Sequence, residues 1–288
     1  MNQQLAKFYY LFLVFLVSIE CFGQINPTNP VRNIQNAGSA LKLKGKALQV
    51  NIFISAKEGP AWTRKAKDMV LKVIPESDAW LKRELKKYQH TMKISHKTFG
   101  YDQDIRLKSD ADPDAGNVKW PTEILKRMGY ASPMDFYRQL KKDIDFDQMY
   151  IVFFINTEGQ SYSNPCDIHH EKDQEAFVES VAVFKKYEGK AITDKSERYV
   201  IPHEILHLFG ALDLYDGEHQ THKTEKFAIR KLRNSIMLGS VRFQNQNQKQ
   251  WELPKYEIDE FNAYMMGLHN NYQKWYDQLS KKFAKFYE

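Results

Sequence analysis

The chain has 288 residues, of which 42% are hydrophobic, 27% charged and 14% aromatic. Those proportions are ordinary for a folded globular chain long enough to bury a core, and they exclude wholesale disorder. The net charge of +6 speaks to solubility, and no nucleic-acid-binding pattern accompanies it.

Lys7 precedes an apolar run at residues 8–19 (FYYLFLVFLVSI), and Cys21-Phe22-Gly23 follows it. This is the layout of a signal peptide, residues 1–23, cleaved after Gly23, which implies a secreted, periplasmic or cell-surface protein. An uncleaved anchor is the alternative, but a spanning helix wants about 20 apolar residues. Lipid attachment at Cys21 is a third route to a membrane tether, which Glu20 just before it disfavours. Cys166 is then the one thiol of the mature chain and reads as a loop or core residue. Residues 24–47, with Pro27, Pro30 and Gly38, read as a leader or short pro-segment.

Leu48, Val50, Ile52 and Ile54 alternate with mostly polar neighbours and predict a half-buried strand. Residues 61–89 carry apolar positions at helical spacing, with Pro75 placed to kink or split the helix. Residues 91–99 form a second candidate strand. Residues 102–117 are rich in Asp, but counting from Asp110 the sixth and twelfth places hold Ala115 and Pro121. A calcium loop wants Gly and Glu there, so an acidic solvated loop is expected. Two short helices follow at 121–128 and 133–144. The run at 149–155 (MYIVFFI) predicts a fully buried strand. A turn-rich loop spans 159–166, and another strand spans 177–184. No internal repeat appears.

Residues 201–213 read I-P-H-E-I-L-H-L-F-G-A-L-D. His203 and His207 are four apart, so on a helix they share one face and can offer nitrogens to one ion. Zinc takes His nitrogen at about 2.0–2.1 Å and prefers four ligands. Gly210 lets the chain leave the helix in a left-handed conformation, which can return Asp213 beneath the histidines as an oxygen ligand. The fourth position stays open. Glu204, next to the first histidine, can accept a proton from a metal-activated water and pass it to a leaving amine.

These residues resemble the metzincin metallopeptidases, whose signature is H-E-x-x-H-x-x-G-x-x-H followed by a Met-turn. His203, Glu204, His207 and Gly210 match it. Asn234-Ser235-Ile236-Met237 is similar to the Met-turn, with Met237 as an apolar floor under the metal. Asp213 departs from the usual third His, and some bacterial metzincins share that departure. Several members carry Tyr two residues after the Met, where this chain has Gly239. Tyr215 and Tyr162 are candidate substitutes, although a structural aromatic is the simpler reading of each.

The resemblance covers residues 48–245 and implies an α+β fold for a metallopeptidase domain at residues 48–288. A twisted mixed sheet would have a backing helix and an active-site helix, with a smaller lower subdomain and a C-terminal helical extension from about 255. It implies a secreted zinc endopeptidase acting on protein or peptide substrates, with Zn2+ as cofactor. Residues 159–163 would form the cleft rim.

Two other functions stay open. Glu225, on a following helix, could be the third ligand, as in gluzincin peptidases. The chain could also be an exported zinc-binding protein without catalysis. His219 and Glu218 are weaker ligand candidates, and His169-His170 reads as a solvated pair. The C-terminal stripe Ile258, Phe261, Met265, Leu268, Tyr272, Trp275, Leu279 and Phe283 is expected to pack on its own domain rather than on a partner or membrane.

Overall fold

A computed structural model describes residue 32 and residues 37–107, 119–166, 177–240 and 251–285. The signal-peptide reading, the first part of the leader, most of the acidic loop and His169-His170 lie outside the described residues. Seven strands form one sheet: β1 (Gly45–Ser55), β2 (Met92–Phe99), β3 (Ile105–Arg106), β4 (Gln148–Glu158), β5 (Tyr162–Asn164), β6 (Ser180–Tyr187) and β7 (Lys190–Ala191). The main order is β2-β1-β4-β6-β5, with β3 beside β1 and β7 beside β6. β1 pairs in parallel with β2, β3 and β4, and β4 pairs in parallel with β6. β5 and β7 run antiparallel to β6. The result is a mixed α+β fold on a mostly parallel sheet.

Seven helices appear among the described residues: α1 (Arg64–Lys87), α2 (Lys119–Arg127), α3 (Pro133–Asp143), α4 (Val200–Leu208), α5 (His222–Lys231), α6 (Glu260–Met265) and α7 (Tyr276–Ala284). Hydrophobic residues of α1 and α4 meet Phe53, Val152 and Phe154 on one sheet face. Those of α2 and α3 meet Ile52, Ile151 and Phe153 on the other. β1 is therefore buried on both faces from Ala47 onward, not half-buried. The polar residues behind its alternation pair with one another inside the core, with Asn51 Nδ2 left without a partner. Gln49 Nε2 donates to Asn51 Oδ1 at 2.8 Å, and the Tyr150 hydroxyl donates to Gln49 Oε1 at 3.2 Å.

Helix α1 runs through Pro75 without splitting. Pro75 lies on the exposed face, where water can satisfy the carbonyl one turn earlier. An interior proline costs about 3 kcal/mol. Burying Val70, Val73, Ile74, Trp80, Leu81 and Leu85 outweighs it at about 1.5–3 kcal/mol for each large side chain.

The chain before β1 also belongs to the core. Ser39, Ala40 and Leu43 are buried. Ser39 exchanges backbone hydrogen bonds with Phe177 and Met149, and Ala40 N donates to Glu179 Oε2 at 2.6 Å. The segment read as a leader thus includes, from Ala37, residues packed against β4 and the start of β6.

The C-terminal stripe packs into the same core as α1 and α4, but not as one helix. Gly267, at φ +75°, ends α6, and helix resumes only at Tyr276. No helix among the described residues is long and apolar enough to cross a membrane.

Candidate metal centre

Helix α4 is apolar nearly all round and buried from Ile201 to Leu208, as a helix inserted between a sheet and a second layer must be. Pro202 sits in its first turn, where the missing N–H has no intrahelical partner to lose. The helix stops in a Schellman motif. Ala211 N donates to Leu206 O at 3.1 Å and Gly210 N to His207 O at 3.0 Å, with Gly210 at φ +95°. This turn delivers Asp213 to the two histidines, as its spacing predicts.

The tautomers follow from the partners. His203 Nδ1 lies 3.1 Å from Ile236 O, and His207 Nδ1 lies 2.8 Å from Ala211 O. A carbonyl only accepts, so both Nδ1 atoms carry a proton, and the neutral form of each ring, the form that binds a metal, presents a bare Nε2. Asp213 Oδ1 stands 3.3 Å from His203 Nε2 and 3.2 Å from His207 Nε2. It is buried and receives no well-formed hydrogen bond. Three lone pairs thus converge where they would repel unless a cation lay between them. Two ligands about 2.0–2.1 Å from a tetrahedral ion stand about 3.3–3.4 Å apart, which matches the observed separations. His203, Glu204 and His207 also form a buried group whose ligand atoms all lie within 4.8 Å of one another. The donor set of two imidazoles and carboxylates fits a zinc-like cation.

With no metal bound, a proton takes the cation's place between the imidazoles and Asp213. Burial alone would raise Asp213, yet His207 and His203 hold its carboxyl well below the usual carboxylate range. Burial works to lower His207, but the Asp213 carboxylate lifts it to about 9. Burial pushes Glu204 up, against the pull of both imidazoles.

Distant residues hold these groups in place. Ile236 and Met237 lie in the 3-10 turn Ile236–Leu238, fully buried. The Ile236 carbonyl is the one that orients His203, and Met237 O accepts from Leu214 N at 2.9 Å. Asp259 binds the turn from below. Ser235 Oγ donates to Asp259 Oδ2 at 2.6 Å, and Met237 N donates to Ser235 Oγ at 3.0 Å. Asn262 Nδ2 donates to Asp259 Oδ2 at 2.9 Å, and Asn262 Oδ1 accepts from Leu212 N at 2.7 Å. One buried Asp–Asn pair therefore ties the Ser-Ile-Met turn to the segment carrying Asp213.

The other sequence candidates separate cleanly. His219 Nδ1 accepts from Asp213 N at 3.1 Å, and burial lowers its pKa to about 4, so it braces the loop as a neutral acceptor. Glu225 Oε2 accepts from Asp216 N at 2.8 Å and its Oε1 faces His222; it closes the turn after Asp213 and lies outside the buried His–Glu–His group. The Tyr215 ring lies nearly parallel to that of His203, 17° between planes and 6.4 Å between centroids. Tyr162 instead accepts from Trp120 Nε1 at 2.8 Å and packs against the core on the other sheet face.

A cleft opens on the centre. His203, Glu204, Tyr199 and Tyr215 line it together with Gln160 and Ser161 of the predicted rim. Glu197 and the β6–β7 hairpin, which sequence reasoning missed, form another part of its wall. Asp259 and Asn262 were also missed. Their one local signal is Asp259 as N-cap of α6, accepting from Asn262 N, and that signal speaks of a helix start, not of a site 46 or more residues earlier in the chain. No protein-family model matches this chain, and no curated protein matches it. The described residues support a mixed α+β fold holding a buried His203–Glu204–His207 group able to take a metal ion.

Proposed function

We propose that the chain is an exported, metzincin-type zinc endopeptidase, with His203, His207 and Asp213 as ligands, Glu204 as general base and Met237 in the turn beneath. The observation that carries this reading is the convergence of two bare imidazole nitrogens and an orphaned carboxylate oxygen at 3.2–3.3 Å. Zinc, when bound, polarises a scissile carbonyl and makes water acidic near neutral pH. Glu204 is buried at the wall of the cleft, suited to take a proton from the attacking water and return it to the leaving amine. Tyr215 lines the cleft with its ring stacked beside His203. Gln160 and Ser161 lead into β5, the last strand of the main sheet order, and an extended peptide can pair with such an edge.

The test is metal analysis and peptide hydrolysis on the purified chain. The expected result is about one zinc per chain, with chelator-sensitive hydrolysis that Glu204→Ala abolishes while zinc is kept. Wild-type protein that carries zinc yet cleaves none of a varied peptide set would refute it.

A further inference from the structure

The metal centre has a second brace, and it comes from the far end of the chain. Both main-chain polar groups of Asp213 are held by side chains of the turn that follows it. His219 Nδ1 accepts from Asp213 N at 3.1 Å, and Gln220 Nε2 donates to Asp213 O at 3.0 Å. The turn is closed by a bridge between Asp216 and Gln220, with Gly217 N donating to Gln220 O at 3.3 Å.

Helix α7 grips that turn from outside. The same Gln220 Nε2 donates to Leu279 O at 2.7 Å, 59 residues further along the chain. Lys282 Nζ donates to Gln220 O at 2.9 Å and to Gly217 O. Phe283, buried, meets the His219 ring edge-on, 5.3 Å between centroids. Leu279, Lys282 and Phe283 are three and four apart, so one face of α7 brings all three contacts to one turn. Gln220 is 1% exposed, and its Oε1 has no hydrogen-bond partner among the described residues. A buried amide with an unpaired oxygen is costly. What offsets that cost is its nitrogen, which joins Asp213 O to Leu279 O.

Resting on the ligand assignment of the peptidase reading, we infer that Gln220 and Lys282 are positioning residues for the metal. Through them the C-terminal helix fixes Asp213 against the two imidazoles and sets how tightly the ion is held. Asn262 holds the residue before Asp213 from the other side, so the ligand loop is gripped at both ends. Groups that orient a ligand without touching the metal typically contribute about 10–100-fold in affinity.

Metal affinity tests this without catalysis. Zinc is titrated into the metal-free full chain against a competing chelator, at a temperature where the metal-free form is folded. Gln220→Met keeps the side-chain length and removes both hydrogen bonds, so its zinc Kd should rise about tenfold or more. Lys282→Met should raise Kd about threefold, and Lys282→Arg, which still donates to both carbonyls, should stay within about twofold of the wild type. Leu140→Ala is the control, since Leu140 lies on α3 in the core of the other sheet face. It should lower the melting temperature of the metal-free chain and leave zinc Kd unchanged. Co2+ in place of zinc reads the geometry: a loosened Asp213 in Gln220→Met admits water as a further ligand and weakens the visible absorption of the four-coordinate ion. Wild-type affinity and spectrum in Gln220→Met, or an equal rise in Kd in Leu140→Ala, would overturn the inference. Where Gln220→Met fails to fold, the Lys282 pair decides it alone, and equal Kd in Lys282→Met and the wild type overturns it. Zinc affinity that follows the clamp in a chain that cleaves no peptide would uphold the inference and sink the peptidase reading. A wild type that takes up no zinc would sink both.

Discussion

Asn262 is the sharpest place to perturb the centre without touching it. Asn262→Ala removes the acceptor of Leu212 N, a 2.7 Å bond, and one of the donors to Asp259. The Leu212 N–H is left buried without a partner, which costs about 1–3 kcal/mol. Asp259 is a fully buried carboxylate whose pKa burial already raises, and losing a hydrogen bond to such a group costs about 1.5–3 kcal/mol more. The sum, about 2.5–6 kcal/mol, is a large part of the 5–15 kcal/mol that holds a typical domain together. Urea unfolding of the metal-free chain measures it directly. Zinc affinity should fall as well, because Leu212 is the residue before Asp213. A stability loss below about 1 kcal/mol with unchanged zinc affinity would show that the Asp–Asn pair does not hold the centre.

Two further outcomes follow from the frame. Glu179 accepts from Ala40 N and Cys166 N, yet full burial raises its pKa to about 8. Its folded value exceeds the ordinary one, so its contribution is fully present below about pH 4.5 and is lost as pH rises through about 8. Denaturant melts should show this slope in the wild type and a flatter one in Glu179→Gln; equal slopes would remove Glu179 as its source. Pro75→Ala should raise stability by about 1–3 kcal/mol, since it restores a helix hydrogen bond on the exposed face of α1; an unchanged or lower melting temperature would mean that the proline is already accommodated.

Local chemistry was legible where one turn of chain contains it. His203 and His207 share a helix face at a spacing of four, Gly210 takes the positive φ that the exit needs, and the run at 149–155 became a strand buried throughout. What was not legible depends on residues far apart. Polar Gln49 and Asn51 imitate a solvated face, but they pair with each other and with Tyr150 in the core. The apolar rhythm from Ile258 to Phe283 continues across Gly267, because residues outside the helices also turn inward to the same core. The Asp259–Asn262 brace meets Leu212 and Ser235 only after folding, so no sequence window contains it.

The docking of residues 38–43 against β4 and the start of β6, with Ser39, Ala40 and Leu43 buried, sets an order of events in folding. β1 lies between β2 and β4, and the segment before it is held by Gln148, Met149 and Glu179, contacts spanning 106 to 140 residues. Parallel pairings at such separations close long loops before any contact compensates for the lost entropy, and chains dominated by them fold slowly. A chain emerging amino-terminus first therefore has no partner for this segment until more than a hundred further residues have followed. The export proposed for this chain would draw on that unfolded interval, since a narrow channel admits only an unfolded chain.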